Sequence, residues 1–474
     1  MKSLMVFIIA LLNSIHPGIA QKHESKPNII FILADDLGYG DVGCYGQQKI
    51  ETPNIDRLAK IGVRFTQFYS GSTVCAPARC SFMTGMHTGH TVIRGNVGMQ
   101  PEGQFPLPDS VTTIAMIFQQ NGYRTAAFGK WGLGFITTPG DPQKKGFDEF
   151  YGYNCQSLAH NYYPDHLWHN HIRIDLPGNL ISDSIYSADL IHQQAMKFLS
   201  RLKRDEPDKP FFLYLPYTLP HAELTVPHDS VYEYYVQKFK VQPVKKPGTI
   251  GNEKHDWDQN PHAAFAAMVS RLDKYVGEIM DALKGIEQST LIIFTSDNGP
   301  HQENGGDPAF FNSNGGLRGI KRDLYEGGIR VPFIAYKKGM TKEGTVNEMP
   351  CTLYDLYPTF LQLANIPIKA RMDGNSILPA LMGKKQEHHE YIYWEFHEGG
   401  GKQAVRMGEW KAVRLNVSKN IRAPLELYNL KDDPFERHDL ASKHQEILHR
   451  MEQIIYIAHQ SNAEWPFLPK EIKK

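Results

Sequence analysis

The sequence predicts an α/β fold built on a mixed, mostly parallel central sheet flanked by helices, and three observations carry that prediction. Short runs that are almost wholly apolar recur along the first three quarters of the chain, as strands covered on both faces require. Between them lie segments with apolar residues at spacings of three and four, the pattern of a helix with one buried face. Past about residue 370 the texture changes to short strands divided by glycine-containing turns. A small C-terminal antiparallel sheet with a helix should therefore pack on the main domain.

Taken in order, residues 1–20 read as an address rather than as structure. Lys2 precedes an apolar run from Leu4 to Leu12, and small residues follow as far as Gly18-Ile19-Ala20. That run is too short to span a membrane and fits a secretory signal peptide, with Gln21 as the expected mature start and the periplasm or medium as destination. No later segment reaches a membrane-spanning apolar length, and no cysteine sits near the cleavage site to hold a lipid. The main domain is expected over 21–370. Its strands are Asn28 to Ala34, Thr125 to Phe128, Pro210 to Pro216, Leu291 to Phe294 and Val331 to Tyr336. Helices are expected over Asn54 to Ile61, Ser110 to Asn121 and His262 to Lys284; in the last, Met268, Leu272, Val276, Ile279, Met280 and Leu283 share one face. The polar stretch Lys238 to Asn260 reads as a long surface loop. In the subdomain expected over 371–474, strands fall at Tyr391 to Phe396, Gln403 to Met407, Trp410 to Leu415 and Leu425 to Leu430, and a helix at Ser442 to His459.

Composition narrows the function. The 474 residues carry 51 basic and 51 acidic side chains, whereas partners of nucleic acid or anionic membranes usually have an excess of Lys and Arg. With 41% hydrophobic and 11% aromatic residues there is apolar material for a large core. Five cysteines make no disulfide scaffold, and the odd count leaves at least one unpaired.

Two of the strands run straight into acids: Asp35-Asp36 after the first, Asp297-Asn298 after the strand at 291–294. In a parallel sheet these ends lie on one edge, where three carboxylates and an amide carbonyl suit a hard divalent cation such as calcium or magnesium. The plainer reading is that Asp and Asn begin polar turns. A third element, Val74-Cys75-Ala76-Pro77-Ala78-Arg79-Cys80-Ser81, is by itself compatible with a turn into a helix, and Cys75 with Cys80 lacks the second pair that a zinc site needs.

Together these residues resemble the type I sulfatases. Cys75-x-Pro77-x-Arg79 with Thr84-Gly85 is similar to their signature, in which the cysteine is converted to formylglycine. Pro27-Asn28-Ile29-Ile30 with Asp35-Asp36, Gly129-Lys130-Trp131, Ser296-Asp297-Asn298-Gly299, and Arg318-Gly319-x-Lys321 with Tyr325-Glu326-Gly327-Gly328-x-Arg330-x-Pro332 follow in the family's order. The resemblance implies the alkaline-phosphatase-like sulfatase fold and a bacterial arylsulfatase-like enzyme acting on sulfated carbohydrate. It also implies one calcium, with magnesium less suited, held by Asp35, Asp36, residue 75, Asp297 and Asn298. Cys75, modified by a maturase, would be the nucleophile as an aldehyde hydrate, and Arg79 would fix that hydrate. Lys130 and Lys321 would hold sulfate oxygens, and His221 would protonate the leaving group. The chain departs from the pattern at Gly132, where many members carry a histidine that contacts the hydrate; His301, His87 and His90 are the candidates to act in its place.

For the substrate pocket, Arg94, Asn96, His160, His166, His301 and His397 are the candidates. The aromatic segment His160 to His171 either contacts a sugar or packs a loop onto the sheet. Segments 301–314 and 397–402 resemble those of bacterial sulfatases of galactose-type sugars, which points to an exo-acting 4-O-sulfatase on galactose or N-acetylgalactosamine. The rivals are a phosphodiesterase or phosphonate hydrolase of the same superfold, and a non-catalytic glycan-binding relative. No nucleic acid and no membrane anchor are expected. Cys44, Cys80, Cys155 and Cys351 either pair in an oxidising compartment or remain buried thiols.

Overall fold

Asn28–Ala34, seven residues all buried, lies at the centre of a ten-stranded sheet. The structure, a computed structural model, describes residues 26–100, 102–240 and 258–468. The expected signal segment lies outside these, as does 241–257 of the expected surface loop. Residues 238 and 239 of that loop instead close a helix, Ser230–Phe239, which buries Tyr232 and Tyr235.

From edge to edge the sheet runs Thr345–Asn347, Val63–Phe65, Phe333–Tyr336, Thr290–Ser296, Asn28–Ala34, Phe211–Pro216, Arg124–Lys130, Glu149–Tyr153, His166–His169 and Ile172–Asp175. The five strands from 290–296 to 149–153 are mutually parallel, so their carboxyl ends share one edge. Phe333–Tyr336 is antiparallel to its neighbour, and so are the strands after Tyr153. Side chains alternate as a pleat demands: Ile30 and Ile32 enter one apolar layer, Ile29, Phe31 and Leu33 the other. Helices Pro261–Ala282, Ser187–Asp205 and Pro53–Ile61 contribute to the first layer. Cys75–Thr84, Ile114–Gln120 and Leu356–Leu363 contribute to the second.

The second sheet comprises Ile392–Phe396, Lys402–Met407, Trp410–Leu415 and Leu425–Asn429, all antiparallel. One face packs Tyr393, Val405, Ala412 and Leu427 with Met451, Ile454 and Ile455 of the helix Gln445–Ala458. The other packs Trp394, Phe396 and Val413 with Tyr69, Val74, Leu324 and Ile329. The small sheet thus supports the chain on either side of the main sheet's carboxyl edge. All five cysteines are free thiols, so of the two readings above the unpaired one holds. No helix among the described residues is long and apolar enough to cross a membrane.

Candidate active site

Four parallel strands deliver polar residues to the shared edge: Asp35-Asp36 after Ala34, Asp297-Asn298 after Ser296, His221 beyond Pro216, and Lys130 at the end of its own strand. Consecutive strand residues point to opposite faces, yet Asp35 and Asp36 enter one cluster. The backbone turns between them, since Asp36 has φ +63° in the left-handed region. The Asp36 N–H donates to Asp297 Oδ1 at 3.2 Å and closes the two strand ends on each other.

Cys75 opens the helix Cys75–Thr84, all ten residues of which are buried. Pro77 is tolerated because first-turn N–H groups have no intrahelical partner. The Ala76 N–H is instead capped by Asn96 Oδ1 at 3.1 Å. Arg79 lies one turn on from Cys75, hence on the same face. The helix stops at Gly85, where φ is +70° and a Cβ would meet Tyr357 at 3.0 Å.

These pieces interlock. Cys75 Sγ lies 3.2 Å from Asp35 Oδ1. Arg79 Nη2 donates to Asp297 Oδ2 (2.9 Å) and Asp35 Oδ2 (3.2 Å), while its Nη1 donates to the Lys130 carbonyl. Lys130 Nζ donates to Asp35 Oδ2 at 2.6 Å. Lys321 Nζ reaches Asp36 Oδ2 (2.8 Å), His221 Nε2 (3.2 Å) and Glu303 Oε2 (3.2 Å). Asn298 Nδ2 donates to Asp36 Oδ1 at 2.6 Å.

Burial opposes ionisation of Asp35, but the charges of Lys130 and Arg79, with the Lys130 hydrogen bond, hold the carboxyl well below its usual range. At Asp297 burial wins, reinforced by Asp35, and the carboxyl is pushed up to about 7 despite Arg79. Burial alone would lower Lys321, but Asp36, Cys75 and Glu303 together more than offset it and shift the ammonium up. Burial and Asp35 drive the Cys75 thiol far upward, so it is neutral at physiological pH and no thiolate nucleophile is available. The donor set fits a hard divalent cation on two observations. Asn298 Oδ1 is buried without a hydrogen-bond partner, and the carboxylates of Asp35, Asp36 and Asp297 converge beside it as hard oxygen donors.

The histidines divide clearly. His221 donates from Nδ1 to the Ala222 carbonyl, which leaves Nε2 facing Lys321 and Asp36. Burial, Lys321 and Lys130 keep it neutral. The His160 ring stands edge-on to it at 4.5 Å and is lowered to about 4 by burial and the two lysines. His301 accepts the Glu303 N–H at Nδ1 (3.1 Å) and donates from Nε2 to the Pro220 carbonyl (3.3 Å), so both its nitrogens are engaged. His87 and His90 belong to a separate cluster on Asp373.

Of the other substrate-pocket candidates, Asn96 joins the edge through its cap on Ala76. His166 is bound to Glu102 and Asp165, and its pKa is raised by the Glu102 hydrogen bond. Arg94 and His397 meet on buried Glu395, with the His397 ring stacked on Phe467. The aromatic segment packs: Tyr162, stacked on Tyr186, reaches the carbonyls of Thr218 (2.6 Å) and His221 (3.0 Å) and so props up the His221 loop.

Two features escaped sequence reasoning. The place of a side chain at Gly132 is taken by Gln156, since a Cβ there would lie 2.6 Å from its Nε2. Glu303 bridges Lys321 and Arg322. Gln156 lies just beyond a strand that the sequence reading lacked, Glu149–Tyr153, so nothing aimed it at Gly132.

A family model described as Sulfatase matches residues 27–366, and one described as N-sulphoglucosamine sulphohydrolase, C-terminal, matches 319–460. Human arylsulfatase A is 30% identical, covering 94% of this chain and 90% of its own length. The crystal structure of Ps i-CgsB in complex with k-i-k-neocarrahexaose superposes with a TM-score of 0.78 at 30% identity over 94% of this chain and 96% of the other. A glycosaminoglycan-metabolism sulfatase of Bacteroides thetaiotaomicron gives 0.74 at 25% identity, over 92% and 100%. Matched along nearly its whole described length, with acids, cations and cysteine converging on one sheet edge, the chain belongs to the sulfatase family of sulfuric ester hydrolases.

Proposed function

We propose that this enzyme removes sulfate from a carbohydrate, using residue 75 as nucleophile after conversion of Cys75 to formylglycine. The observation that carries the reading is the position of Cys75: a neutral thiol, 3.2 Å from Asp35, enclosed with Arg79, Lys130 and Lys321. Asp35, Asp36, Asp297 and Asn298, with residue 75, would hold one calcium ion, which with formylglycine supplies a hydroxyl nucleophile of lowered pKa when both are present. Magnesium suits the site less, because it gives up its waters reluctantly.

The chain's own residues do the rest. Lys130 and Lys321 supply donors to sulfuryl oxygens where charge builds in the transition state. Arg79 bridges Asp35 and Asp297, fixing both against residue 75. His221, held as the Nδ1–H tautomer, presents Nε2 to the site. A bound anionic ester raises its proton affinity and readies it to protonate the departing sugar oxygen. A maturase must reach Cys75 before the helix packs, since the residue is 1% exposed in the fold.

The carbohydrate assignment draws on the similar structure solved with k-i-k-neocarrahexaose, and the lean to exo-acting 4-O-desulfation of galactose-type sugars on segments 301–314 and 397–402. The deciding experiment is peptide mass spectrometry across residue 75 of protein from its native host. An aldehyde or its hydrate is expected. Unmodified cysteine in fully active protein would overturn the mechanism, and a panel of sulfated sugars would test the 4-O preference.

A further inference from the structure

Arg322 directly follows Lys321 and has φ +76°, a backbone conformation that suits glycine and strains an arginine. The turn is locked by its backbone alone. The Arg322 N–H donates to the Thr73 carbonyl at 3.1 Å, two residues before Cys75, and its own carbonyl accepts from Lys402 Nζ at 2.7 Å. Glycine would make both bonds without strain, so the turn does not account for the guanidinium.

The two neighbouring cations point to different places. Lys321 is 3% exposed inside the ring of charges, whereas Arg322 is 47% exposed. Glu303 joins them: Oε2 accepts from Lys321, and Oε1 accepts from Arg322 Nη1. Glu303 aims the guanidinium through one nitrogen, Nη1, and leaves the Nε and Nη2 donors to a ligand. Arg322 has five N–H donors, and the side chain, half exposed and next in sequence to Lys321, keeps most of them open to solvent. That geometry matches a carboxylate or sulfate better than a hydroxyl.

We propose that Arg322 is a specificity residue that binds a second oxyanion of the substrate, a further sulfate ester or a carboxylate, while the first is cleaved at residue 75. The proposal rests on the sulfatase reading above and narrows the substrate class to carbohydrates carrying at least two anionic groups.

The test compares wild type with Arg322→Gly on sulfated galactose-type sugars offered in matched pairs, with and without a second sulfate and with and without a uronic acid neighbour. Wild type should prefer a dianionic member. Arg322→Gly should lower the dianionic-to-monoanionic ratio of kcat/KM about tenfold or more, chiefly through KM, without lowering the thermal midpoint, because glycine suits this φ. Arg322→Lys should recover part of the ratio. The pair that shows the preference identifies the second group as sulfate or carboxylate. Preference for monoanionic sugars, or an equal fall in kcat on both members with a lower midpoint, would overturn the proposal. Failure of wild type on every sulfate ester would strike instead at the reading beneath it.

Discussion

Two buried clusters of charge invite comparison. The first is the ring at the sheet edge, with Asp35, Asp36, Asp297, Arg79, Lys130 and Lys321. The second joins the small sheet to the main domain. There Lys411 Nζ pairs with Glu326 (3.0 Å) and Glu436 (2.9 Å), Tyr69 donates to Glu326 at 2.6 Å, and Arg406 donates to Tyr69. Lys411, Glu326 and Glu436 are fully buried. Each cluster contains a carboxyl raised to about 7: Asp297 by burial and Asp35 in one, Glu436 by burial and Glu326 in the other. Burial and a displaced pKa therefore do not distinguish a reacting site from a structural joint. Nor does a left-handed backbone, since Asp36 (φ +63°) has its counterpart in Glu436 (φ +54°). Position does: the first cluster draws on the carboxyl ends of four parallel strands, where the second joins two sheets.

Removing one lysine from each cluster separates their roles. Lys411→Ala strands two buried carboxylates and should cost about 3–5 kcal/mol of stability, seen in denaturant unfolding, while the folded fraction keeps its kcat. Lys321→Ala should lower kcat by about 10²–10³, roughly 2.7–4 kcal/mol of transition-state stabilisation, with a smaller change in unfolding. If the two effects were exchanged, the assignment of the clusters would be reversed.

His221→Asn sharpens the division within the ring. Protonation matters for a sugar alkoxide and hardly at all for a nitrophenolate. Turnover of a sulfated sugar should therefore drop about 10²-fold or more, and hydrolysis of 4-nitrophenyl sulfate far less. Equal losses on the two substrates would remove the general-acid role.

Glu436 gives the joint a pH dependence of known sign. Its carboxyl rises from an ordinary value of 4.5 to about 7 on folding. The folded state consequently binds more protons across that interval, and this group's contribution to stability falls as pH rises from about 4.5 to about 7. Glu436→Gln should flatten that fall and leave the variant relatively more stable at pH 8, by at most a few kcal/mol. A pH series of thermal or denaturant midpoints measures it.

How much of this was legible beforehand follows from what each feature depends on. Asn28–Ala34 was readable to the residue because a strand covered on both faces needs an unbroken apolar run. Glu149–Tyr153 was not: an acid and Gly152 interrupt the run, and glycine is required there because a Cβ would lie 1.9 Å from the Gly129 carbonyl oxygen. The helix Ser187–Asp205 went unread although Ile191, Ala195, Phe198 and Leu202 repeat at its buried face. In the site, Asp35, Asp36, Cys75, Arg79, Asp297 and Asn298 stand in contiguous motifs that local sequence carries. Gln156, Glu303 and Arg322 owe their positions to tertiary folding, and Arg94 and His397 are drawn away from the acid ring to Glu395 for the same reason.

The smallest expected effect tests whether Gln156 belongs to the ring or only fills space. Its Nε2 is buried without a hydrogen-bond partner beside Gly132, where a Cβ would lie 2.6 Å from that nitrogen and 3.9 Å from Arg79 Cδ. An unpartnered buried donor costs about 1–3 kcal/mol, so a group retained at that cost should be satisfied when substrate or the modified residue 75 is present. Gln156→Ala should then reduce kcat/KM by up to about tenfold, near 1.4 kcal/mol, while thermal stability holds or rises because the unsatisfied donor is gone. A variant with unchanged kinetics and a lower midpoint would show the carboxamide to be packing.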